Sequence, residues 1–324
     1  AAASRGVPMV LSNVSSSPME RVAEAMGDAP RWFQLYWLDD RAIVESLVDR
    51  AERAGDSAFV LTMDTPVPPW REASLARSQV APPGFTLGNF TSDPVLAERL
   101  PFDAESNPDR AMEHFQDIRA GQNATWADLE TLSGLTDLPV LAKGVLRAED
   151  AELAVEHGAD GVVVSNHGGR QVDGSVASID ALPAVAEAVG DDATVLLDSG
   201  VRRGADVVKA VALGADAVLL GRLFLYGLTL AGEAGVSEVV ENVTADLDLT
   251  LGMMGYASLS DLDRGAVAEP PRLARERRRH AAAAATDVGL AAHARVGVDR
   301  GDLRDLLGHP RLDGLDGHRR DATP

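Results

Sequence analysis

Short apolar runs alternate with longer helical patterns from residue 8 to residue 222. Seven of these runs have the length of buried strands: 8–11, 32–36, 58–62, 138–141, 161–164, 194–197 and 217–220. Between them, apolar positions recur at helical spacing in segments such as 41–54, 148–157, 179–189 and 205–213. This alternation predicts consecutive βα units around a parallel sheet.

Each predicted strand ends in, or is followed by, residues that could take part in catalysis or binding. They are Ser12, Gln34 with Tyr36, Thr62 with Asp64, Lys143, Ser165 with His167, Asp198, and Gly221 with Arg222. In a (β/α)₈ barrel the carboxyl ends of all strands meet at one face, where active sites are built, whereas an open doubly wound sheet spreads them along an edge. The pattern therefore favours a (β/α)₈ TIM barrel, although it supplies seven strands where such a barrel has eight.

Two segments depart from this rhythm. Residues 65–125 form a connection too long for a passive loop, which predicts an active-site lid or a partly helical insertion. Near the end the pattern gives way to Arg-, Ala-, Gly- and Asp-rich sequence. We predict one catalytic domain over 1–265 and a low-complexity tail, 266–324, that is peripheral or disordered. Its arginine cluster could be an arm that binds nucleic acid or a partner, but the acidic remainder favours a solvated or self-docking tail.

The chain is strongly acidic, with 50 Asp and Glu against 30 Lys and Arg and a formal net charge of −20. Such a surface repels nucleic acid and anionic membranes, so no polynucleotide partner is expected. Lys143 and Lys209 are the only lysines. A lysine-poor, acidic composition is halophile-like and suits work in high salt; the alternative is an ordinary acidic surface encoded by a GC-rich genome.

The absence of cysteine excludes disulfides, thiolate metal sites and a cysteine nucleophile. No run of about 18 or more apolar residues occurs, which predicts a soluble, cytoplasmic protein without membrane insertion. Histidine and carboxylate residues show no spacing typical of metal ligands, so no metal site is expected.

The most distinctive local feature is segment 165–174, SNHGGRQVDG, directly after a predicted strand. Two glycines allow a tight turn, so that His167 and Arg170 could face the same pocket. Histidine can accept a proton near neutral pH, and arginine can grip a carboxylate with two hydrogen bonds. The pair suits a small acid that loses a proton, although residue types alone would equally fit a structural turn.

A second feature is segment 198–204, DSGVRRG, together with Gly221 and Arg222 after the last predicted strand. Barrels often bind phosphate at their last two βα loops, where glycines expose backbone N–H groups near a helix N-terminus. Lys143 at a strand end implies an anionic cofactor or substrate. Asp64 is a natural partner for a protonated histidine, although strand-end aspartates also cap turns. Tyr36 could donate to a substrate oxygen or only line the mouth of the barrel.

Together these segments resemble the family of FMN-dependent 2-hydroxy-acid oxidases and dehydrogenases. The similarity extends from about residue 6 to residue 263, and the matching stretches are 33–36, 61–66, 143–144, 165–174, 198–204 and 221–227. A different FMN- or phosphate-binding barrel, such as a relative of inosine monophosphate dehydrogenase, would need a catalytic cysteine or a different set of residues at the strand ends. The resemblance implies FMN as the cofactor and a small 2-hydroxy acid, such as L-lactate, as the substrate.

The resemblance also implies a role for each matching residue. His167 would take the α-hydroxyl proton as hydride passes to flavin N5, with Asp64 stabilising the imidazolium. Arg170 would bind the substrate carboxylate, Tyr36 would hydrogen-bond the substrate, and Arg71 matches a further active-site arginine. Lys143 would offset negative charge on the reduced ring. The remaining cofactor contacts would be Ser12, Gln34, Thr62 and Ser165 at the isoalloxazine, and Asp198, Gly200, Arg202, Gly221 and Arg222 at the ribityl and phosphate groups.

Finer similarities point to the lactate 2-monooxygenase branch, in which pyruvate formed in the site is decarboxylated by trapped peroxide. They comprise Val14, where glycolate oxidases carry tryptophan, and segments 70–71, 91–95, 177–183 and 232–236. The family's first βα unit has no counterpart here, so the expected fold is a barrel without that unit. O₂ or another acceptor would reoxidise the flavin, and a tetramer or octamer is expected. The alternative is a catalytically impaired barrel that serves as a binding or structural subunit.

Overall fold

The computed structural model describes residues 1–67, 70–71, 85–119 and 124–268. Its centre is one sheet of seven parallel strands, which neighbour each other in the order β1 to β7 in which they occur along the chain. They are β1 Met9–Ser12, β2 Arg31–Leu35, β3 Phe59–Thr62, β4 Val140–Val145, β5 Gly161–Val164, β6 Thr194–Leu197 and β7 Ala217–Val218. An unbroken sequential order is the topology of a barrel, because a doubly wound sheet reverses its strand order at a switch point.

Helices connect the strands and cover the outer face of the sheet. They are α1 Met19–Met26, α2 Arg41–Ala54, α3 Gly88–Thr91, α4 Pro94–Arg99, α5 Pro108–Arg119, α6 Trp126–Ser133, α7 Ala148–Glu156, α8 Ser178–Val189, α9 Gly204–Ala212 and α10 Arg222–Met254. The predicted strands and helices agree with these bounds to within a few residues. Helices α3 to α5 lie in the connection after β3, which confirms the prediction of a partly helical insertion there.

The period of two along the strands separates an outer core from a barrel interior. Phe59 and Leu61 of β3 pack in the large core between sheet and helices, whereas Val60 belongs to a smaller interior cluster. That cluster also contains Trp32, Ala58, Leu141, Val163 and Leu196, with Val10, Ala217 and Leu219 against it. Nearly every strand contributes a residue to this interior. The next inward residue, two positions further along the strand, therefore lies at the mouth of the barrel, where the carboxyl ends of the strands meet.

The insertion is fastened to the body of the protein by two buried polar residues. Asn89 of α3 is fully buried; its amide accepts from the Met19 N–H (2.7 Å) and donates to the Ser12 and Asn13 carbonyls. The Arg50 guanidinium of α2 in turn donates to the Asn89 carbonyl (2.7 Å). The Asn89 bonds connect the insertion to the end of β1, where the predicted cofactor contact Ser12 lies, and the Arg50 bond connects it to α2.

Helix α10 folds back on itself within its length. Ala231 and Gly232 have non-helical backbone angles, and a Cβ on Gly235 would lie 2.0 Å from the Gly227 carbonyl oxygen. In a straight helix, residues eight apart are about 12 Å from each other. By length and composition alone, α10 is the one helix in the described part of the chain that could span a membrane. The reversal splits it into 222–230, which is short, and 233–254, which carries Glu233, Glu238, Glu241, Asp246 and Asp248.

The parallel sheet and its strand order confirm the predicted partial (β/α)₈ barrel. Among the described residues, β1 pairs only with β2 and β7 only with β6, so the sheet is not closed there. The proposed division into a domain over 1–265 and a tail over 266–324 stays a prediction, since residues from 269 onward lie outside the described ranges.

Candidate active site at the carboxyl ends of the strands

The inward residue at the end of each of the first six strands is polar, and together these residues form what we call the polar layer. Its members are Ser12, Gln34, Thr62, Lys143, Ser165 and Asp198. In one half, the Ser12 hydroxyl donates to the Gln34 side-chain oxygen (2.7 Å), and the Gln34 amide donates to the Thr62 hydroxyl (2.8 Å). This chain fixes which way the Gln34 amide faces.

The other half of the polar layer is charged. Lys143 Nζ donates to Ser165 Oγ (3.1 Å) and lies 3.3 Å from Asp198 Oδ2. Both charged side chains are largely buried, at 13% and 17% exposure. Lys143 thus places a cation, held by its neighbours, at the floor of the strand-end face, where it could offset negative charge on a bound group.

His167 and Asp64 stand above this floor and contact each other. His167 Nδ1 lies 2.9 Å and 3.1 Å from the two carboxylate oxygens of Asp64. Asp64 reaches this position because Gly144 has no side chain; a Cβ there would lie 2.5 Å from the Asp64 Cβ. His167 itself has a φ of 57°, which is uncommon for a residue other than glycine. Its N–H donates to Ser165 Oγ (3.0 Å), which holds the turn to the polar layer.

The carboxylate of Asp64 is electrostatically prepared for this contact. Burial by itself would raise the pKa of Asp64, but the hydrogen bond with His167 and the nearby charge of Lys143 outweigh it, so that the pKa is lowered. Asp64 is therefore ionised at neutral pH. An ionised partner at Nδ1 favours the tautomer in which Nδ1 carries the proton and Nε2 is free to accept one.

The remaining predicted substrate residues surround the same mouth. Tyr36 is half-buried one position beyond β2, and Arg170 is exposed in the loop after β5. Arg71, in the connection after β3, lies across from that loop: its Nε is 3.5 Å from the Arg170 carbonyl oxygen. The Arg71 side chain thus contacts the backbone of the loop that carries Arg170.

A cleft of about 390 Å³ opens between the loops after β5 and β6 and the start of α10. Its lining includes Gly168, Gly200 and Arg222, and the Arg222 guanidinium donates to the Gly168 carbonyl (2.9 Å). Gly200 has a φ of 91° and open space where a side chain would stand. Of the predicted phosphate residues, the lining contains Gly200 and Arg222, whereas Gly221 and Arg202 lie beside it. Arg202 instead donates to the neighbouring Val201 carbonyl (3.2 Å).

These donors fit the two ends of FMN. The cleft offers glycine backbone and a guanidinium, which suit a phosphate, and the polar layer offers an amide, hydroxyls and a buried ammonium, which suit the polar edge of a flavin ring. The cleft adjoins the polar layer through Ser199, whose hydroxyl donates to Asp198 Oδ1 (2.7 Å) and accepts from the Gly168 N–H (2.8 Å).

Three residues with roles in this geometry were not predicted as site residues. Ser199 joins the loops after β5 and β6 at a φ of 71°, Gln171 lies between Asp64 and Arg71, and Asn89 holds the end of β1. Gln171 and Ser199 stand inside the two segments that the sequence singles out. Nothing in residue type or spacing shows that their side chains bond across loops.

A family model described as FMN-dependent dehydrogenase matches residues 1–269. The chain is 44% identical over 266 residues to an L-lactate oxidase of Nostoc sp., which covers 81% of this chain and 72% of that protein. It is 43% identical over 276 residues to glycolate oxidase 1 of Oryza sativa subsp. indica, at 85% and 73% coverage.

Solved structures give the same picture. An active chimera of (S)-mandelate dehydrogenase superposes with a TM-score of 0.72 at 39% identity, covering 82% of this chain and 72% of the other. A mandelate oxidase variant with the C4a-OH-FMN adduct superposes with a TM-score of 0.68 at 38% identity, with coverage of 80% and 69%.

Proposed function

Because the chain belongs to the family of FMN-dependent dehydrogenases, with FMN as its cofactor, we propose that it oxidises L-lactate or a similarly small L-2-hydroxy acid. The sequence motifs predicted this family, this cofactor and this class of reaction, and the comparisons confirm all three. The named substrate, the roles of individual residues and the electron acceptor are the proposal. The observation that carries this proposal is the contact of His167 Nδ1 with the ionised Asp64, at 2.9 Å, beside the Lys143 ammonium of the polar layer.

In this proposal His167 is the base. With Nδ1 hydrogen-bonded to Asp64, Nε2 is the ring nitrogen that takes the proton of the α-hydroxyl. The positive charge that develops on the ring is then stabilised by the Asp64 carboxylate, whose lowered pKa keeps it ionised. The substrate loses two electrons and two protons and becomes a 2-oxo acid.

Arg170 and Arg71 would orient the substrate by its carboxylate. A guanidinium binds a carboxylate through two parallel hydrogen bonds, and two guanidinium groups at the same edge fix its rotation. Tyr36, one position beyond β2, would donate to an oxygen of the substrate. Short 2-hydroxy acids suit this arrangement. Their carboxylate and α-hydroxyl would be held by the arginines and His167, and the rest of such a substrate needs little space.

The polar layer and the cleft would hold the cofactor. Ser12, Gln34, Thr62 and Ser165 would contact the ring, Lys143 would offset its charge after reduction, and the chain would bind ribityl and phosphate through Asp198, Gly200, Arg202, Gly221 and Arg222. Bound FMN supplies the acceptor for the two electrons of the substrate.

We further propose O₂ as the final electron acceptor, as the oxidase names among the relatives suggest. Release of pyruvate and H₂O₂ would make the protein an oxidase. Retention of both would let peroxide convert pyruvate to acetate, CO₂ and water, which is the lactate 2-monooxygenase outcome. The expected tetramer or octamer stays part of this proposal.

The decisive measurement is the visible spectrum of the FMN-loaded protein without oxygen. L-Lactate should bleach the flavin bands of the parent protein. His167→Ala should bind flavin but lower the rate of bleaching by about 10²–10⁴-fold, because the base is removed while the polar layer remains. Product analysis in air, acetate against pyruvate, then separates the monooxygenase from the oxidase.

His157→Ala is a matched control, since His157 caps the carboxyl end of α7 and stacks on Trp126, outside the strand-end face. It should bleach at the parent rate. A folded parent protein that binds FMN but resists bleaching by lactate and by other short 2-hydroxy acids would refute the proposal and favour an impaired barrel. Loss of flavin from His167→Ala would reassign His167 to a structural role.

A further inference from the structure

Gln171 bridges two parts of the candidate active site through the two ends of its side-chain amide. Nε2 donates to the backbone carbonyl of Asp64 (2.6 Å), and Oε1 accepts from a guanidinium nitrogen of Arg71 (2.9 Å). The side chain is half-buried, whereas its neighbours Arg170 and Val172 are exposed. The loop therefore has little apolar burial at this point, and polar contacts determine its position.

The bond to Asp64 acts on the His167 partner. The last ladder bond between β3 and β4 at this end runs from the Met63 N–H to the Lys143 carbonyl (2.9 Å), so Asp64 lies just beyond the regular sheet. Its carbonyl needs a donor from elsewhere, and the Gln171 amide provides one. Because the backbone of Asp64 is fixed in this way, its carboxylate stays in register with His167 Nδ1.

The bond to Arg71 acts on a cation at the mouth. A long arginine side chain loses much rotational freedom when it is held, and a hydrogen bond from a charged donor offsets part of that cost. Gln171 is neutral, so it orients the guanidinium without cancelling its charge. A glutamate at this position would hold Arg71 more strongly but would compete with a substrate carboxylate.

We propose that Gln171 is a positioning residue with two separable effects. It holds Arg71 as a second cation for the carboxylate of the substrate, and it holds Asp64 for proton transfer at His167. The effect on proton transfer rests on the proposed function. The effect through Arg71, which we call the arm through Arg71, concerns only the binding of a small carboxylate to the FMN-loaded protein.

A double-mutant cycle separates the two effects. Parent, Gln171→Met, Arg71→Met and the double variant are compared in the FMN-loaded form, because methionine keeps the length of Gln171 and removes both hydrogen bonds. The probe is pyruvate, whose Kd is read from its perturbation of the flavin absorbance without turnover. The second readout is the limiting rate of anaerobic flavin reduction by L-lactate.

Gln171→Met should raise the pyruvate Kd about fivefold to tenfold in the parent background and less than twofold in the Arg71→Met background, because the affinity effect passes through Arg71. It should lower the reduction rate to a similar degree in both backgrounds, since the Asp64 bond does not depend on Arg71. Val172→Ala, at the exposed neighbour, should change neither quantity.

Equal effects of Gln171→Met on the Kd in both backgrounds would refute the arm through Arg71. An unchanged Kd and rate, with only a lower melting temperature, would show Gln171 to be purely structural. Failure of the parent protein to react with lactate would count against the proposed function alone, since the pyruvate cycle can still be read.

Discussion

Asp64 and Asp56 are both buried carboxylates, and their pKa values move in opposite directions. The pKa of Asp64 is lowered because the His167 hydrogen bond and the Lys143 charge outweigh burial. At Asp56 burial prevails over the Arg31 charge and raises the pKa to about 6. In the described part of the chain neither oxygen of Asp56 accepts a hydrogen bond, and the nearest approach is Arg31 Nε at 3.7 Å. Hydrogen-bonded charge, more than depth of burial, separates the two residues.

This contrast predicts a pH-dependent effect of Asp56→Asn on stability. A raised folded-state pKa means that Asp56 contributes stability below its ordinary pKa of 3.8, and that this contribution is lost as pH rises through about 6. The loss is about 3 kcal/mol when complete. Asparagine cannot titrate, so the variant does not lose this contribution. The free energy of unfolding of the variant minus that of the parent should therefore increase between pH 4.5 and pH 8. Urea unfolding at several pH values measures this; a constant difference would contradict it.

A second prediction at this scale concerns Asp64→Asn. The amide can still accept from His167 Nδ1, but it carries no charge to stabilise the protonated ring. We expect bound flavin to be retained and the rate of its reduction by L-lactate to fall about 10²–10³-fold, as measured by anaerobic stopped flow. A variant that reacts at the parent rate would remove Asp64 from the proton transfer.

Between elements, a buried guanidinium joins the insertion after β3 to helices α1 and α2, in addition to the contacts of Asn89. Arg50 of α2 forms ion pairs with Glu20 of α1 (2.9 Å) and with Asp93 (3.1 Å), the residue that caps α4. It also donates to the Ser92 hydroxyl. Burial alone would lower the pKa of Arg50, but these carboxylates outweigh it and the pKa is raised. The insertion thus depends on charge held within the packed helices.

Arg50→Met should therefore loosen the insertion and destabilise the whole protein. Removing one member of a buried ion pair leaves Asp93, which is fully buried, without its cation, at a cost of about 3–5 kcal/mol. Arg53→Met, one turn along the same helix, removes an exposed pair with Asp49 and should cost less than about 1 kcal/mol. Chemical unfolding of both variants compares them directly. Equal small losses would show that the Arg50 network contributes little.

For the molecule as a whole, the dominant feature is a net charge of −20. Excess acidic side chains repel one another in the compact state, and salt screens this repulsion over a Debye length of about 10 Å at 0.1 M and about 3 Å at 1 M. Ion pairs such as Lys209 with Asp206 leave this excess unchanged, because both of their charges are already counted in it.

We expect the melting temperature to rise by roughly 5 °C or more between 0.1 M and 2 M KCl, as screening relieves this repulsion. Differential scanning calorimetry measures it. Sucrose at matched osmolality is the control, because it stabilises by exclusion from the surface without screening charge. A melting temperature that is constant or falls with KCl would favour the ordinary acidic surface over adaptation to high salt.

The alternation of apolar runs and helical patterns determined the parallel strands, and the residues after each run determined which side chains meet at the mouth. Both follow from local rules, since the period of a strand and the carboxyl-end rule of barrels act on short segments. The segments 165–174 and 198–204 could be found for the same reason, and with them the family and FMN.

Only the tertiary structure decided which side chains bond across these loops. Gln171 reaches Asp64 and Arg71, each about a hundred positions earlier in the chain, and Asn89 reaches back to the end of β1. The left-handed backbone at His167 and Ser199 is likewise set by contacts between loops. Such contacts depend on how helices and insertions pack against one another, and that packing is a property of the whole fold that no local pattern encodes.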